Sequence, residues 1–530
     1  MRDQSIGVTG YTLWSLILAF CVLGSTVTWA KDWPMFRKNA LRNGLTEGKG
    51  SLKSDSVMKK WECYLPRPIT FSSPAVGDVN GDGILEVVIG CDNFHLYVLR
   101  ADSGKVLWSY PTGSLVQSSP LLIDLNNNDT LDIVFASFDN KVYAVDGNRA
   151  FLWKYSTGSW IFSSPAGGDI DLDGVVDIVV GSLDSCIYVL NGTNGNLKWR
   201  YKTGGDVRSS PALGDINGDD TLEVVIGSSD CKLYVLNHRG NILWTYTTGG
   251  MIWSTPALGD LNGDGYLDVG FGSLDGHIYG LKGQTGELLW SPYNVGGEIH
   301  YESPALADID DDGFLEIITG SFGGELLHCI EGESGTKKWE INPSGEDSWM
   351  IQSSPAIGDV DGDNALEIVL GTHDFFCKAR KANGDKFWEL PTKDDPHSSP
   401  ALADIDMDGE LEVVIATTGG NVLAIDNRRR DAVEESEQQT QGTKIEVYPN
   451  PFIRGAIIEF KSLGVNELVE LQIYDVTGRI VRKLSTENGK SHRVVWDGND
   501  SYGREVMGGI YFCKMIAGNW VKVGKLIKLM

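Results

Sequence analysis

Residues 72–90 read Ser-Ser-Pro-Ala-Val-Gly-Asp-Val-Asn-Gly-Asp-Gly-Ile-Leu-Glu-Val-Val-Ile-Gly. An acidic, glycine-bearing loop is followed by a run of β-branched residues that ends on glycine, which is the pattern of a short strand leaving a tight turn. Leu96-Tyr97-Val98-Leu99, Gly104 and Leu107-Trp108 follow, and the same order then recurs along the chain. Tryptophans at 61, 108, 153, 199, 244, 290, 339 and 388 are spaced by 45 to 49 residues and mark the period. With 64 glycines and 42% hydrophobic residues in 530, the chain is too apolar to be disordered and too rich in glycine to be mainly helical.

A unit of about 45 residues holding four short strands is the blade of a β-propeller. The eighth copy runs from Ser398-Ser399-Pro400 through Val413-Val414-Ile415 to Val422-Leu423-Ala424-Ile425 and stops before its tryptophan-bearing fourth strand. Lys60-Trp61-Glu62-Cys63-Tyr64 is such a strand with no preceding three. Pairing the two fragments leaves no open sheet edge. The sequence therefore predicts an all-β chain, with an eight-bladed propeller over 55–427 closed by a strand swap. Residues 31–54 are a lead-in, 428–443 a polar linker with Arg428-Arg429-Arg430, and 444–530 a separate small β-sandwich with alternating strands such as Val469–Tyr474.

The first 30 residues carry only Arg2 and Asp3 as charges, then an apolar run from Leu13 to Leu23 and a small-residue exit ending on Ala30, which reads as a secretory signal peptide. An uncleaved anchor helix over Tyr11–Trp29 is the alternative. No other stretch is long and apolar enough to cross a bilayer, so no transmembrane segment is expected in the mature chain. Removing the signal leaves seven cysteines without a CxxC pair, most of them inside apolar runs, where they read as small buried hydrophobes. A net charge of −27 argues against a nucleic-acid backbone as partner.

Each repeat places oxygen-bearing side chains at positions 1, 3, 5 and 9 of its acidic loop. The sets are Asp78, Asn80, Asp82, Glu86; Asp124, Asn126, Asn128, Asp132; Asp169, Asp171, Asp173, Asp177; and Asp215, Asn217, Asp219, Glu223. They continue with Asp260, Asn262, Asp264, Asp268; Asp308, Asp310, Asp312, Glu316; Asp359, Asp361, Asp363, Glu367; and Asp404, Asp406, Asp408, Glu412. Alternate residues of a tight loop can face one centre, and hard oxygen ligands in this number suit Ca²⁺, up to eight ions in a structural role. An EF-hand would need a bidentate Glu at position 12 and flanking helices, whereas these loops are flanked by strands.

The loops, with Ser-Ser-Pro-Ala before them and Val-Val-Ile-Gly after, resemble the FG-GAP (integrin α-like) calcium-binding repeat. The other half of each unit resembles the PQQ-like (quinoprotein-like) propeller repeat through its Gly-x-x-x-Trp spacing. Gly104–Trp108, Gly195–Trp199, Gly240–Trp244, Gly286–Trp290, Gly335–Trp339 and Gly384–Trp388 keep this spacing, and Arg149 breaks it before Trp153. Trp33-Pro34-Met35-Phe36-Arg37 with Gly44 looks like the lead-in of secreted quinoprotein-like proteins. That resemblance implies that the tryptophans clamp neighbouring blades. The tail resembles the Ig-like C-terminal domains of type IX secretion sorting and of the flagellar hook-assembly protein. The matching residues are Tyr448-Pro449-Asn450-Pro451-Phe452, Ile473–Gly478, Trp496-Asp497-Gly498 and Gly509–Phe512. It implies contact with a secretion machinery and a secreted or outer-membrane surface location.

In a four-stranded antiparallel blade, the acidic loops share one face of the ring and the blade-to-blade connections lie on the other. In those connections the residue before each Ser-Ser/Thr-Pro (Glu-Ser-Pro in the sixth copy) is Phe71, Gln117, Phe162, Arg208, Trp253, Tyr301, Gln352 or His397. A constant frame that varies one position predicts a ligand site for a glycan or protein at the channel mouth, although the same residues could simply plug the channel. Trp160, His300 and Trp349 lie in the same connections. No GxSxG, HExxH or P-loop signature occurs, and the adjacent cysteines of quinoprotein dehydrogenases are missing. The expected function is a calcium-stabilised surface propeller for ligand binding or adhesion, without catalytic residues. The alternatives are an extracellular carbohydrate-active enzyme of the polysaccharide-lyase kind or a quinoprotein dehydrogenase, and then an outer-membrane scaffold propeller.

Overall fold

The computed structural model describes residues 33–427 apart from 55, 325 and 344–350, and then 445–448, 456–460, 469–475, 479–485, 493–501, 503–517 and 520–529. The signal peptide, the linker and Trp349 lie outside the described residues. Two compact units divide the chain at residues 429–430.

In the first unit each repeat forms one antiparallel sheet. In blade one the strands are Ala75–Gly77, Glu86–Cys91, His95–Arg100 and Val106–Pro111, paired in chain order. The second strand is wholly buried and the fourth is partly exposed, which explains why Val87-Val88-Ile89 reads as an unbroken apolar run. Seven further sheets follow this plan among the described residues. In blade five the outer strand shrinks to Tyr293–Asn294, because Pro292 cannot donate to a ladder.

The ring closes as the fragment lengths require. Val57–Tyr64 pairs antiparallel with Asn421–Asn427, with Trp61 opposite Ala424 and Cys63 opposite Val422. Hydrogen bonds from the Ser-Ser/Thr-Pro motifs run round the channel in one direction at seven of its eight steps. Ser73 N–H donates to Ser119 Oγ, Ser119 to Ser164 and Ser164 to Ser210, each at 2.9 Å. Thr255 donates to Ser303, Ser303 to Ser354, Ser354 to Ser399, and Ser399 back to Ser73.

Six of the eight repeat tryptophans are interblade clamps of one form, and Trp108, whose following repeat has Arg149 in place of the glycine, is not among them. Trp61, Trp153, Trp199, Trp244, Trp290 and Trp339 each donate the indole N–H to a carbonyl of the following blade, those of Ala101, Gly192, His238, Gly283, Gly332 and Ala382. Their rings cover the Cα of the glycine that opens the next Gly-x-x-x-Trp, such as Trp153 on Gly195. Trp388 is buried, and among the described residues its N–H has no acceptor; its blade adjoins blade eight, whose strand Asn421–Asn427 ends the described part of this unit.

The lead-in does more than precede the ring. It lines the inside, where the innermost strand of each blade has one edge facing the axis. Trp33 and Val76 exchange backbone hydrogen bonds, and the N–H groups of Leu122, Leu213, Leu258, Leu306 and Ile357 donate to the carbonyls of Pro34, Ala40, Leu41, Asn43 and Gly44. Leu45–Lys49 then pairs parallel with Ala356–Asp359 of blade seven, and Leu411 of blade eight donates to Lys49. The lead-in thus satisfies donors that the blades leave unpaired.

The second unit holds two antiparallel sheets. One pairs Ile445–Tyr448, Ala456–Phe460 and Arg493–Trp496, and the other Ile480–Ser485, Val469–Asp475, Gly509–Ala517 and Trp520–Lys528. Ile458, Leu471, Ile473, Trp496, Cys513 and Leu526 share one core, as in a sandwich. The seven cysteines from Cys63 to Cys513 are unbridged, five of them buried. Among the described residues no helix is long and apolar enough to cross a membrane.

Candidate functional site

The acidic loops have one geometry throughout. In blade one Asp78 accepts from the N–H groups of Gly81 and Gly83, Asn80 from that of Asp82, and Asp82 from that of Ile84, all at 2.8–2.9 Å. The position-1 Asp accepts from the position-6 N–H in all eight loops. Position 6 has positive φ whether it is Gly83 or one of the exceptions Asp129, Asp220 and Asn364, so the reversal persists where glycine is absent. The 32 expected ligand residues therefore fall on eight loops of like shape.

The position-9 carboxylate is buried in every copy. Burial pushes Asp132 up to about 6, Glu86, Asp177, Glu223, Asp268 and Glu316 to about 7, Glu367 to about 8 and Glu412 to about 9. Among the described residues Asp132 Oδ1 and Glu412 Oε1 are buried without a hydrogen-bond partner. A buried carboxylate oxygen without a partner is costly unless a cation meets it. The donors are all hard oxygens, so the loops fit a hard divalent cation.

The loops fall into two chemical classes. Position 3 is Asn80, Asn126, Asn217 or Asn262 in blades one, two, four and five, where the residue before the blade's tryptophan is Leu107, Leu152, Leu243 or Leu289. In blades three, six, seven and eight position 3 is Asp171, Asp310, Asp361 or Asp406, and a lysine ammonium reaches the loop. Lys198 lies 2.7 Å from Asp171, 3.2 Å from Asp173 and 2.9 Å from Asp177, among three of the loop's carboxylates. Lys338 meets Asp310 and Glu316 at 2.5 and 3.0 Å, and Lys60 meets Asp406 at 2.7 Å. These three precede a tryptophan. In blade seven Phe387 holds that position, and Lys381 lies over its ring and 3.6 Å from Asp363. Each extra carboxylate is matched by one ammonium.

On the opposite face all eight varied residues line one small cavity. Phe71, Phe162 and Tyr301, from blades one, three and six, meet across the axis with ring centroids 4.9–5.1 Å apart. Trp253 stacks on Tyr301 at 5.5 Å, and the Arg208 guanidinium lies 5.0 Å from the Trp253 ring. The cavity measures about 40 Å³, room for a few water molecules, and Phe36 of the lead-in shares its lining. Trp160 is 53% exposed and stacks on Phe138, and His300 stacks on Phe322 at 4.2 Å. The mouth is an aromatic surface over a filled channel.

Two arginines of the lead-in fill that channel, Arg37 from the motif quoted above and Arg42, which no motif marks. Arg37 donates to the carbonyls of Arg42, Ser303 and Pro304, and Arg42 to those of Phe36, Pro165 and Pro211. Both are buried, and burial lowers each to about 9. At the rim, Glu302 replaces the first serine of its motif. It is fully buried, accepts from His300 N–H at 2.7 Å, and burial raises it to about 7.

Fold and site together define a β-propeller with FG-GAP-like acidic loops, PQQ-type tryptophan clamps and a secretion tail. Residues 260–319 match the FG-GAP-like repeat, residues 95–264 the outer membrane protein assembly factor BamB, and residues 446–529 the secretion system C-terminal sorting domain. That tail marks a secreted or cell-surface protein that meets a secretion machinery. No curated protein matches the chain. Similar solved structures include BamB from Moraxella catarrhalis, at 17% identity and a TM-score of 0.50 over 70% of this chain and 97% of that one. A europium-containing methanol dehydrogenase matches at 13% identity and a TM-score of 0.58, over 75% of this chain and 98% of its own. A quinohemoprotein alcohol dehydrogenase from Pseudomonas putida matches at 14% and 0.55, over 80% and 83%. At these identities the likeness is one of fold.

Proposed function

We propose that this is a calcium-stabilised surface propeller that binds a glycan or a protein on its aromatic mouth. The observation that carries this reading is the convergence of the eight varied residues, with Arg208 and His397 among stacked rings, on one surface of an otherwise constant frame. Aromatic faces beside a guanidinium suit sugar rings and protein loops alike. With about 40 Å³ among these side chains, the mouth offers a ligand a surface to lie on more than a deep pocket to enter. The ligand is therefore expected to be extended and held by stacking.

A glycan array and a surface-protein capture, each run with the wild type and with an Arg208→Ala/Trp253→Ala/Tyr301→Ala variant, test the site. Binding that the triple variant loses supports it, and binding that persists unchanged sinks it. Calcium is tested separately by melting the protein with and without EGTA. An ion that binds only the folded chain adds about 3 kcal/mol per site at a hundred times its dissociation constant, so a large fall in melting temperature with chelator is expected. A second reading, an outer-membrane scaffold, is favoured by the BamB match over 95–264, and co-purification with outer-membrane assembly proteins would select it.

A further inference from the structure

Blade seven departs from blades two to five at the mouth. In blades two to five the turn between the second and third strands carries an Asp whose carboxylate accepts from a tyrosine hydroxyl four residues on, as Asp184 does from Tyr188 at 2.6 Å. In blade seven that pair is Asp374 and Lys378, and the residue before it is His373, where blade two has Phe138. His373 faces the connection from blade seven to blade eight, Thr392 to His397, and contacts the carboxylate of Asp395 through Nδ1. From the same connection His397 Nε2 lies 3.0 Å from the same Asp395 oxygen.

The geometry points to a site for a borderline divalent transition-metal ion of the zinc class, held by His373, Asp395 and His397 at the rim of the mouth. One ligand atom from each lies within 4.8 Å of the other two, the spread that a single ion spans. Two imidazole nitrogens and one carboxylate oxygen form a donor set for Zn²⁺ and its neighbours, softer than the all-oxygen loops on the other face, and three protein ligands leave a position open. The carboxylate is placed in advance. Asp395 is 8% exposed, its carbonyl accepts from Thr418 N–H at 2.8 Å, and Pro396 stiffens the backbone between it and His397. His397 Nδ1 is buried with no hydrogen-bond partner among the described residues. The imidazoles themselves stay reachable, with side chains 35% and 16% exposed. His397 also lines the mouth, its ring 6.2 Å from that of Phe71, so the ion would lie beside the aromatic surface. The site does not depend on what the mouth binds.

Titration of the full-length, tag-free protein with Zn²⁺ in millimolar Ca²⁺, followed by calorimetry, tests the assignment. One equivalent of zinc is expected, with affinity reduced at least tenfold in His373→Ala, His397→Ala and Asp395→Asn. Trp253→Ala is expected to retain it. No zinc uptake by the wild type, or uptake unchanged in the His373→Ala/His397→Ala double variant, would mean that Asp395 merely tethers two imidazoles and would overturn the proposal. Should the variants fold poorly, diethyl pyrocarbonate labelling of the wild type decides: zinc protects His373 and His397 if the site exists, and equal labelling with and without zinc refutes it.

Discussion

Glu302 stands where the other repeats place a serine or its like, and its carboxyl has no water to face. Its folded value of about 7 lies above the ordinary 4.5, so the folded state holds the proton more tightly than the unfolded state does. Its own contribution to stability is then greatest below pH 4.5, falls as the pH rises towards 7, and carries the full penalty of ionisation above that. Glu302→Gln keeps an acceptor for His300 N–H and removes the charge. It is expected to raise stability by up to about 3 kcal/mol at pH 8 and by almost nothing at pH 4. Thermal melts at the two pH values check this, and an equal effect at both would contradict it. Lys198 presents the opposite case. Lys198→Leu copies the residue found in the asparagine loops but leaves Asp171, Asp173 and Asp177 facing one another. The variant should melt well below the wild type in EGTA and recover most of that loss in calcium. A melting temperature equal to the wild type's in EGTA would show that the ammonium stabilises nothing.

The elements lock together through clamps whose strength depends on the absence of a side chain. A Cβ on Gly195 would come within 2.6 Å of the Trp153 ring, at a φ of 71°. Gly296 has a similar φ of 76°, but a Cβ there meets nothing within 4 Å. Gly296→Ala is therefore expected to cost only backbone strain, about 1 kcal/mol, and Gly195→Ala at least about 2 kcal/mol more through the displaced ring. Denaturant unfolding of the pair separates the two effects, and equal losses would refute the clamp. These elements were legible in the sequence because they repeat: eight tryptophans in register identify blades, and eight loops in register identify a common geometry. The lysine–aspartate matching was equally legible, since Lys60, Lys198 and Lys338 stand just before their tryptophans. No single motif displays it, because the pairing crosses from the fourth strand to the loop between the first two. Nothing periodic marks the His373–Asp395–His397 cluster, which one blade alone carries.

At the scale of the whole molecule, the least legible segment was residues 33–50. Its Trp33–Arg37 motif marks a lead-in, but most of its bonds to the blades are made by backbone carbonyls, which leave no side-chain pattern to read. Its carbonyls accept from the inner strands of most blades, and Arg37 and Arg42 tie blades three, four and six to it. Removing 33–50 while keeping Val57–Tyr64 should leave the blades formed but strip their inner edges of partners. A broad, low-temperature melt is expected in place of one sharp transition, and a wild-type melt would show the lining to be dispensable. The hydrogen bond from Ser399 to Ser73 has a consequence in time. It joins residues 326 positions apart, and the strand swap beside it needs both Val57–Tyr64 and Asn421–Asn427. A growing chain therefore carries its first strand unmatched through seven blades, and the circle becomes whole only when the last has emerged. Between those moments the molecule is an open arc with two unfinished ends, and its most vulnerable surface is the one that the finished ring conceals.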